Sequence, residues 1–142
     1  MQNKNIEHPR RKAREAAMKA LYALEINKGS PNDIFKLFKG SFFDLSDDIY
    51  TRQLFDCVAE KSSWADDLIS KCLENWEYGR VALLDKILLR MGVSEIYHMD
   101  DVPPKVSISE MVEIAKIYST EESSGFVNGI LDTVYKNYSE SN

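Results

Sequence analysis

The sequence predicts an all-α protein: about seven helices arranged as two small packed helical bundles. Three observations carry that reading. Apolar residues recur at spacings of three and four in segment after segment, while strict alternation hardly appears. Helix-start and helix-stop residues punctuate those segments at short intervals. The links between them are short, and no internal repeat or low-complexity stretch interrupts the pattern. With 142 residues and 44% hydrophobic content, the chain is long enough to bury a real core. It reads as one domain over residues 1–142, with approximate subdomains 1–60 and 61–142.

The elements follow in order. Pro9 suits a first helical turn, where a missing N–H costs nothing, and an alanine-rich segment runs from it to about Asn27. Lys28-Gly29-Ser30-Pro31 breaks that helix. Ser30 and Pro31 then act as cap and first-turn proline for a short helix with Ile34, Phe35, Leu37 and Phe38. A loop follows, and Ser46 is a cap for a helix carrying Ile49, Leu54, Phe55 and Val58. Ser62 or Ser63 caps the next, with Trp64, Leu68, Ile69, Leu73 and Trp76, ended by "NWEYGR". Residues 81–98 form the most apolar helix. "MDDVPPK" breaks the chain again, and Ser107-Ile108-Ser109-Glu110 reads as a capping box. Ser119 to Ser124 reads as a polar turn before a last helix running to about Asn137.

Composition excludes several functions. No apolar run approaches the ~20 residues that cross a bilayer. The amino end lacks the apolar run and small-residue cleavage site of a signal peptide, so the chain reads as cytoplasmic and free of membranes. Cys57 and Cys72 show no CxxC or His-rich context, and His8 and His98 are isolated, so neither a metal nor another cofactor is expected. Net charge is -5, but residues 1–19 carry +4 and the remainder -9. A basic arm beside an acidic body suits two different partners; an ordinary solvated helix start explains the same composition equally well.

Three helices repay inspection at 100° per residue. On the first, Ala13, Ala17, Ala20, Leu21 and Leu24 form the buried stripe. Arg10 and Arg14 flank it, and Arg11 and Lys12 point further out. Guanidinium forks in that array suit phosphate oxygens; solvation and ion pairing explain them too. On residues 81–98 the stripe is Leu84, Ile87, Leu88 and Met91, with Glu95 inside it. A carboxylate there needs an ion pair or hydrogen bond from a basic residue of another helix, Arg14 being one candidate. No second acid, nucleophile or histidine accompanies Glu95, so it is not a catalytic group, and the chain is not expected to be an enzyme. On the last helix, Val127, Ile130, Leu131, Val134 and Tyr138 form a stripe about 100° wide. Phe126 sits at its edge, with Gly125, Gly129 and Thr133 on the ring's outer side. Asn128-Gly129 is a hairpin signal placed inside a helical pattern. Either Phe126 tucks under a neighbouring helix and Gly129 permits close packing, or Phe126 is a stacking platform and Asn128 reads a base edge. Geometry alone favours packing.

Three segments resemble one family in its order and spacing: "RRKAREAAMKALY" (residues 10–22), "LDKILLRMGVSEIY" (84–97) and "VSISEMVEIAKIYSTEESSGFVNGILD" (106–132). The family is that of the transcription antitermination factor NusB, and the resemblance covers essentially the whole chain. It implies an all-helical protein that binds boxA-containing single-stranded RNA of ribosomal-operon leaders together with the small-subunit ribosomal protein NusE. The assembly joins the RNA polymerase antitermination complex and supports ribosomal RNA transcription. By resemblance, Arg10, Arg11, Lys12 and Arg14 match the arginine-rich RNA-binding segment, and Phe126 and Asn128 match a motif near the RNA. Asp85 and Glu122 match acidic positions associated with NusE contact, with Tyr22 near that surface; Glu122 stands where an aspartate is also found. The acidic body then fits a basic ribosomal partner, and the match raises stacking above packing for Phe126.

Two other functions compete. Similar domains precede certain RNA cytosine methyltransferases, but the 142 residues hold no catalytic-cysteine motif or nucleotide-binding α/β pattern, so methyl transfer is not expected. A protein-only scaffold with a merely solvated basic arm is the other. Family members differ in self-association, so a homodimer stays open, the alanine-rich first helix being a surface that could serve it.

Overall fold

The computed structural model describes residues 9–39, 48–74 and 77–141, all of whose regular structure is helical. The elements are α1 (Pro9–Asn27), α2 (Pro31–Lys39), α3 (Asp48–Ser70), a short 3₁₀ turn (Tyr78–Arg80), α4 (Leu83–His98), α5 (Pro104–Tyr118) and α6 (Glu121–Ser141). Ser46, Trp76, His8, Lys4 and the side chain of Phe38 lie outside the described residues. Among the described residues no helix is long and apolar enough to cross a membrane.

The chain groups into two compact units, Met1–Asp56 and Cys57–Asn142. In the first, α1 buries Ala13, Ala16, Ala17, Met18, Ala20 and Leu21. Small side chains on that face let backbones approach, and the Thr51 hydroxyl reaches across to donate to the Ala13 carbonyl at 3.3 Å. The alanine stripe is therefore covered within the chain, as its place on the buried face of α1 predicts. α1 ends where Lys28 turns into the left-handed region at φ 55°, its N–H bonding the Leu24 carbonyl at 2.8 Å. Ser30 caps α2 through the Asp33 N–H at 3.2 Å. Phe35 and Phe55 close the unit, ring centroids 5.3 Å apart.

In the second unit α4 is the core helix. Ile87, Leu88, Leu89, Met91, Val93 and Ile96 are buried, and α5 and α6 pack on it and on each other. Glu95 is fully buried, as its place in the stripe requires. Asp66 of α3 binds the Arg90 guanidinium of α4 at 2.8 and 3.1 Å and accepts from the Tyr78 hydroxyl at 2.5 Å. That clasp fixes the 3₁₀ turn leading into α4. Desolvation, with the Asp66 hydrogen bond next, pushes the Tyr78 phenol well above its ordinary value.

Two boundaries differ from the sequence reading. The break expected before Ser62 and Ser63 is present: the Lys61 backbone leaves the helical region (φ -112°, ψ 21°), so α3 is two helical segments joined at a kink. α5 starts at Pro104 rather than after Ser107, because Pro104 supplies a first-turn residue that needs no donor; Ser107 is buried inside the helix. The polar turn shrinks to Ser119-Thr120. Thr120 Oγ1 accepts the Ser123 N–H at 3.0 Å, and Glu121 and Glu122 favour the positive end of α6.

Candidate functional site

The basic run lies on the first turns of α1. Arg10, Arg11 and Lys12 are half-buried, and the Arg10 guanidinium sits 3.9 Å from the centroid of the Tyr50 ring. An aromatic face under a guanidinium orients the fork. Arg14 is placed otherwise. It is 2% exposed, its guanidinium 5.7 Å from the same ring. A side chain with almost no solvent-facing surface presents no fork to a phosphate. Arg14 supports the α1–Tyr50 contact instead, which corrects its expected place among the presented cations. Tyr22, further along α1, is 43% exposed.

In the second unit "GFVNGILD" is helical throughout, and neither of its glycines takes a positive φ, so Asn128-Gly129 makes no turn. Val127, Leu131 and Val134 are fully buried. A Cβ added at Gly125 or at Gly129 would meet nothing within 4 Å. Of the two alternatives for Gly129, close packing within the chain does not hold among the described residues: both glycines face outward.

Phe126 is half-buried and lines a cleft of about 200 Å³ with Arg80, Ala82, Asp85, Glu122 and Ser123. The cleft lies where the first turns of α4 and α6 meet. Asp85, 6% exposed, accepts from the Ser123 hydroxyl at 3.0 Å through Oδ2, and its Oδ1 is buried without a hydrogen-bond partner. Burial pushes the Asp85 carboxyl above the usual range, and hydrogen bonds from Ser123 and Ser119 pull it back. Glu122 is exposed on the rim. Two acids thus gather with Phe126 in one place, Asp85 buried and Glu122 on the rim.

Asn128 is exposed and lies in a different place. It lines a groove of about 420 Å³ between α5 and α6, with Lys105, Ser109 and Tyr135. Phe126 and Asn128 are two residues apart, hence about 200° apart around the helix. They occupy opposite flanks of α6, with the glycines between them. Sequence reasoning missed the groove residues. Tyr135 could have been found, since Asn128, Asp132 and Tyr135 share one face at spacings of four and three. Lys105 and Ser109 come from α5, and Arg80 from a non-periodic link; no pattern within α6 points to them.

A model of the NusB family matches residues 11–136. The transcription antitermination protein NusB of Methylacidiphilum infernorum is 43% identical over 129 residues, 89% of this chain and 90% of that protein. Its counterpart in Chloroherpeton thalassium is 42% identical over 128 residues, 89% of this chain but 61% of that longer protein. Among solved structures, T. maritima NusB is similar with a TM-score of 0.82 at 36% identity, over 92% of this chain and 93% of its own. A crystal structure of antitermination factors NusB and NusE in complex with dsRNA gives a TM-score of 0.82 at 26% identity, over 92% of this chain and 98% of that one. By its helices, its motifs and a family match over most of its length, the chain belongs to the NusB family.

Proposed function

We propose that this chain is a transcription antitermination factor that binds boxA-containing single-stranded RNA of ribosomal-operon leaders together with NusE. In this reading it joins the RNA polymerase antitermination complex and supports ribosomal RNA transcription, acting by binding rather than by catalysis. The named relatives are antitermination proteins, and one structural neighbour is NusB with NusE in complex with dsRNA, which supports RNA and NusE as partners. The observation that carries the reading is the Phe126 ring at a cleft beside two glycines that nothing among the described residues covers. A ring stacks on unpaired bases, so the RNA is single-stranded at that point.

The residues then divide by chemistry. Arg10, Arg11 and Lys12 take phosphates; Phe126 stacks a base; Asn128 reads an edge. Tyr22 offers an exposed ring, and Asp85 and Glu122 offer acceptors, to a basic protein partner. The test is an RNA gel shift of the isolated protein, repeated with NusE added. A shift in either lane that weakens on Phe126→Ala supports the reading. Binding of NusE without RNA at any concentration, alone or in the complex, returns the protein to a scaffold.

A further inference from the structure

Phe126 and Asn128 stand on opposite flanks of α6 and line two different clefts. One RNA reaches both only by passing over the exposed ridge between them, and that ridge is Gly125 and Gly129. We infer that the strand crosses α6 over these glycines and sets a nucleotide into the α5–α6 groove, where Asn128 reads the base edge. This rests on the RNA-binding reading above.

The groove suits that occupant. Its volume of about 420 Å³ falls in the range of small-ligand sites and admits one base with its ribose. Ile108 and Val112 give it an apolar floor, and the half-buried Tyr135 brings a ring to its wall. Asn128 carries two donors and an acceptor, and Ser109 a hydroxyl. Lys105 lies in the first turn of α5, where the helix N-terminus also favours a phosphate. Two carboxylates line the groove as well, but each has a lysine on its own helix: Glu113 with Lys116 at 3.3 Å and Asp132 with Lys136 at 3.8 Å. Their negative charge is partly offset where a phosphate would approach.

The glycines supply the independent support. Each lowers the intrinsic stability of α6, and neither is needed for packing, turn or positive φ. A side chain at either position would occupy the ridge without disturbing the fold. Stability and binding should therefore separate.

The experiment compares the full chain with Gly125→Ala/Gly129→Ala, Asn128→Ala, Tyr135→Ala and Phe126→Ala, reading thermal midpoints and affinity for a boxA-containing RNA with NusE present. The glycine pair is expected to melt a few degrees higher than the parent, by about 2–4 °C for each glycine, and to bind RNA about tenfold more weakly. Tyr135→Ala and Asn128→Ala are each expected to bind at least about fivefold more weakly with unchanged NusE affinity. Undiminished RNA binding by the glycine pair overturns the crossing, and undiminished binding by Tyr135→Ala overturns the groove; in both cases a loss in Phe126→Ala leaves the RNA-binding reading standing. A parent protein that never binds RNA overturns both together.

Discussion

Gly92 of α4 offers the sharpest test of the core. A Cβ built there would lie 2.6 Å from Leu131 Cδ1, 2.8 Å from Cδ2 and 3.3 Å from Cγ. Leu131 is fully buried between Val127 and Val134 on α6, so its methyls cannot swing into solvent. Gly92→Ala therefore overpacks the α4–α6 contact, which costs about 1–3 kcal/mol. Alanine returns about 1 kcal/mol of helix propensity. The net expectation is a loss of about 1 kcal/mol, or about 3 °C in Tm for a chain of this size. Gly92→Val, bulkier and a poorer helix former, should lose more. Leu131→Ala alone removes a buried isobutyl group at about 2–5 kcal/mol. In that background the clash is gone, and Gly92→Ala should become neutral or stabilising, a coupling of about 1–2 kcal/mol. Urea denaturation followed by circular dichroism reads all four corners. A Gly92→Ala protein more stable than the parent, with no coupling to Leu131, would refute the packing argument.

Two further outcomes follow from the site. Asp85→Asn should raise stability at neutral pH: the buried carboxyl has a raised folded pKa, so the native state holds its proton more readily than the unfolded chain does. Native stability therefore falls as pH rises through the raised value, and the advantage of asparagine should vanish below the ordinary carboxylate range; thermal melts at pH 7 and pH 3.5 check this. The same variant should weaken NusE binding. Arg14→Ala should destabilise the protein by about 1–3 kcal/mol through lost contact around Tyr50, while leaving the salt dependence of RNA binding unchanged, as titrations below the melting transition would show.

Much of the fold was legible because periodicity and breakers report local physics. α1 and the start of α2 stand where Pro9, Ser30 and Pro31 placed them. The missed start of α5 has a physical cause: serine is a cap only where something else ends a helix, and at Ser107 nothing does. The site was legible as a list of residues but not as an arrangement. Gly92 and Gly129 look alike in sequence, each a glycine inside an apolar helix. One is filled by Leu131 and the other faces open space, and only the neighbouring helix decides which. The same holds for Arg14: its position beside the stripe was readable, but its burial depends on Tyr50 of a different helix. That Phe126 and Asn128 lie on opposite flanks follows from spacing alone, whereas the groove beside Asn128 needs α5.

The central claim is that cations of α1 and the ring of Phe126 each contribute to binding single-stranded RNA, by different physics. The most direct measurement is a titration with boxA-containing RNA in the presence of NusE at several salt concentrations. Replacing Arg10, Arg11 and Lys12 with glutamine should flatten the slope of log K against log salt by about 2, at roughly 0.7 per phosphate contact on a single strand. Phe126→Ala should weaken binding by about 1–3 kcal/mol with the slope unchanged. An unaltered slope in the charge variant, together with full affinity in Phe126→Ala, would contradict the account.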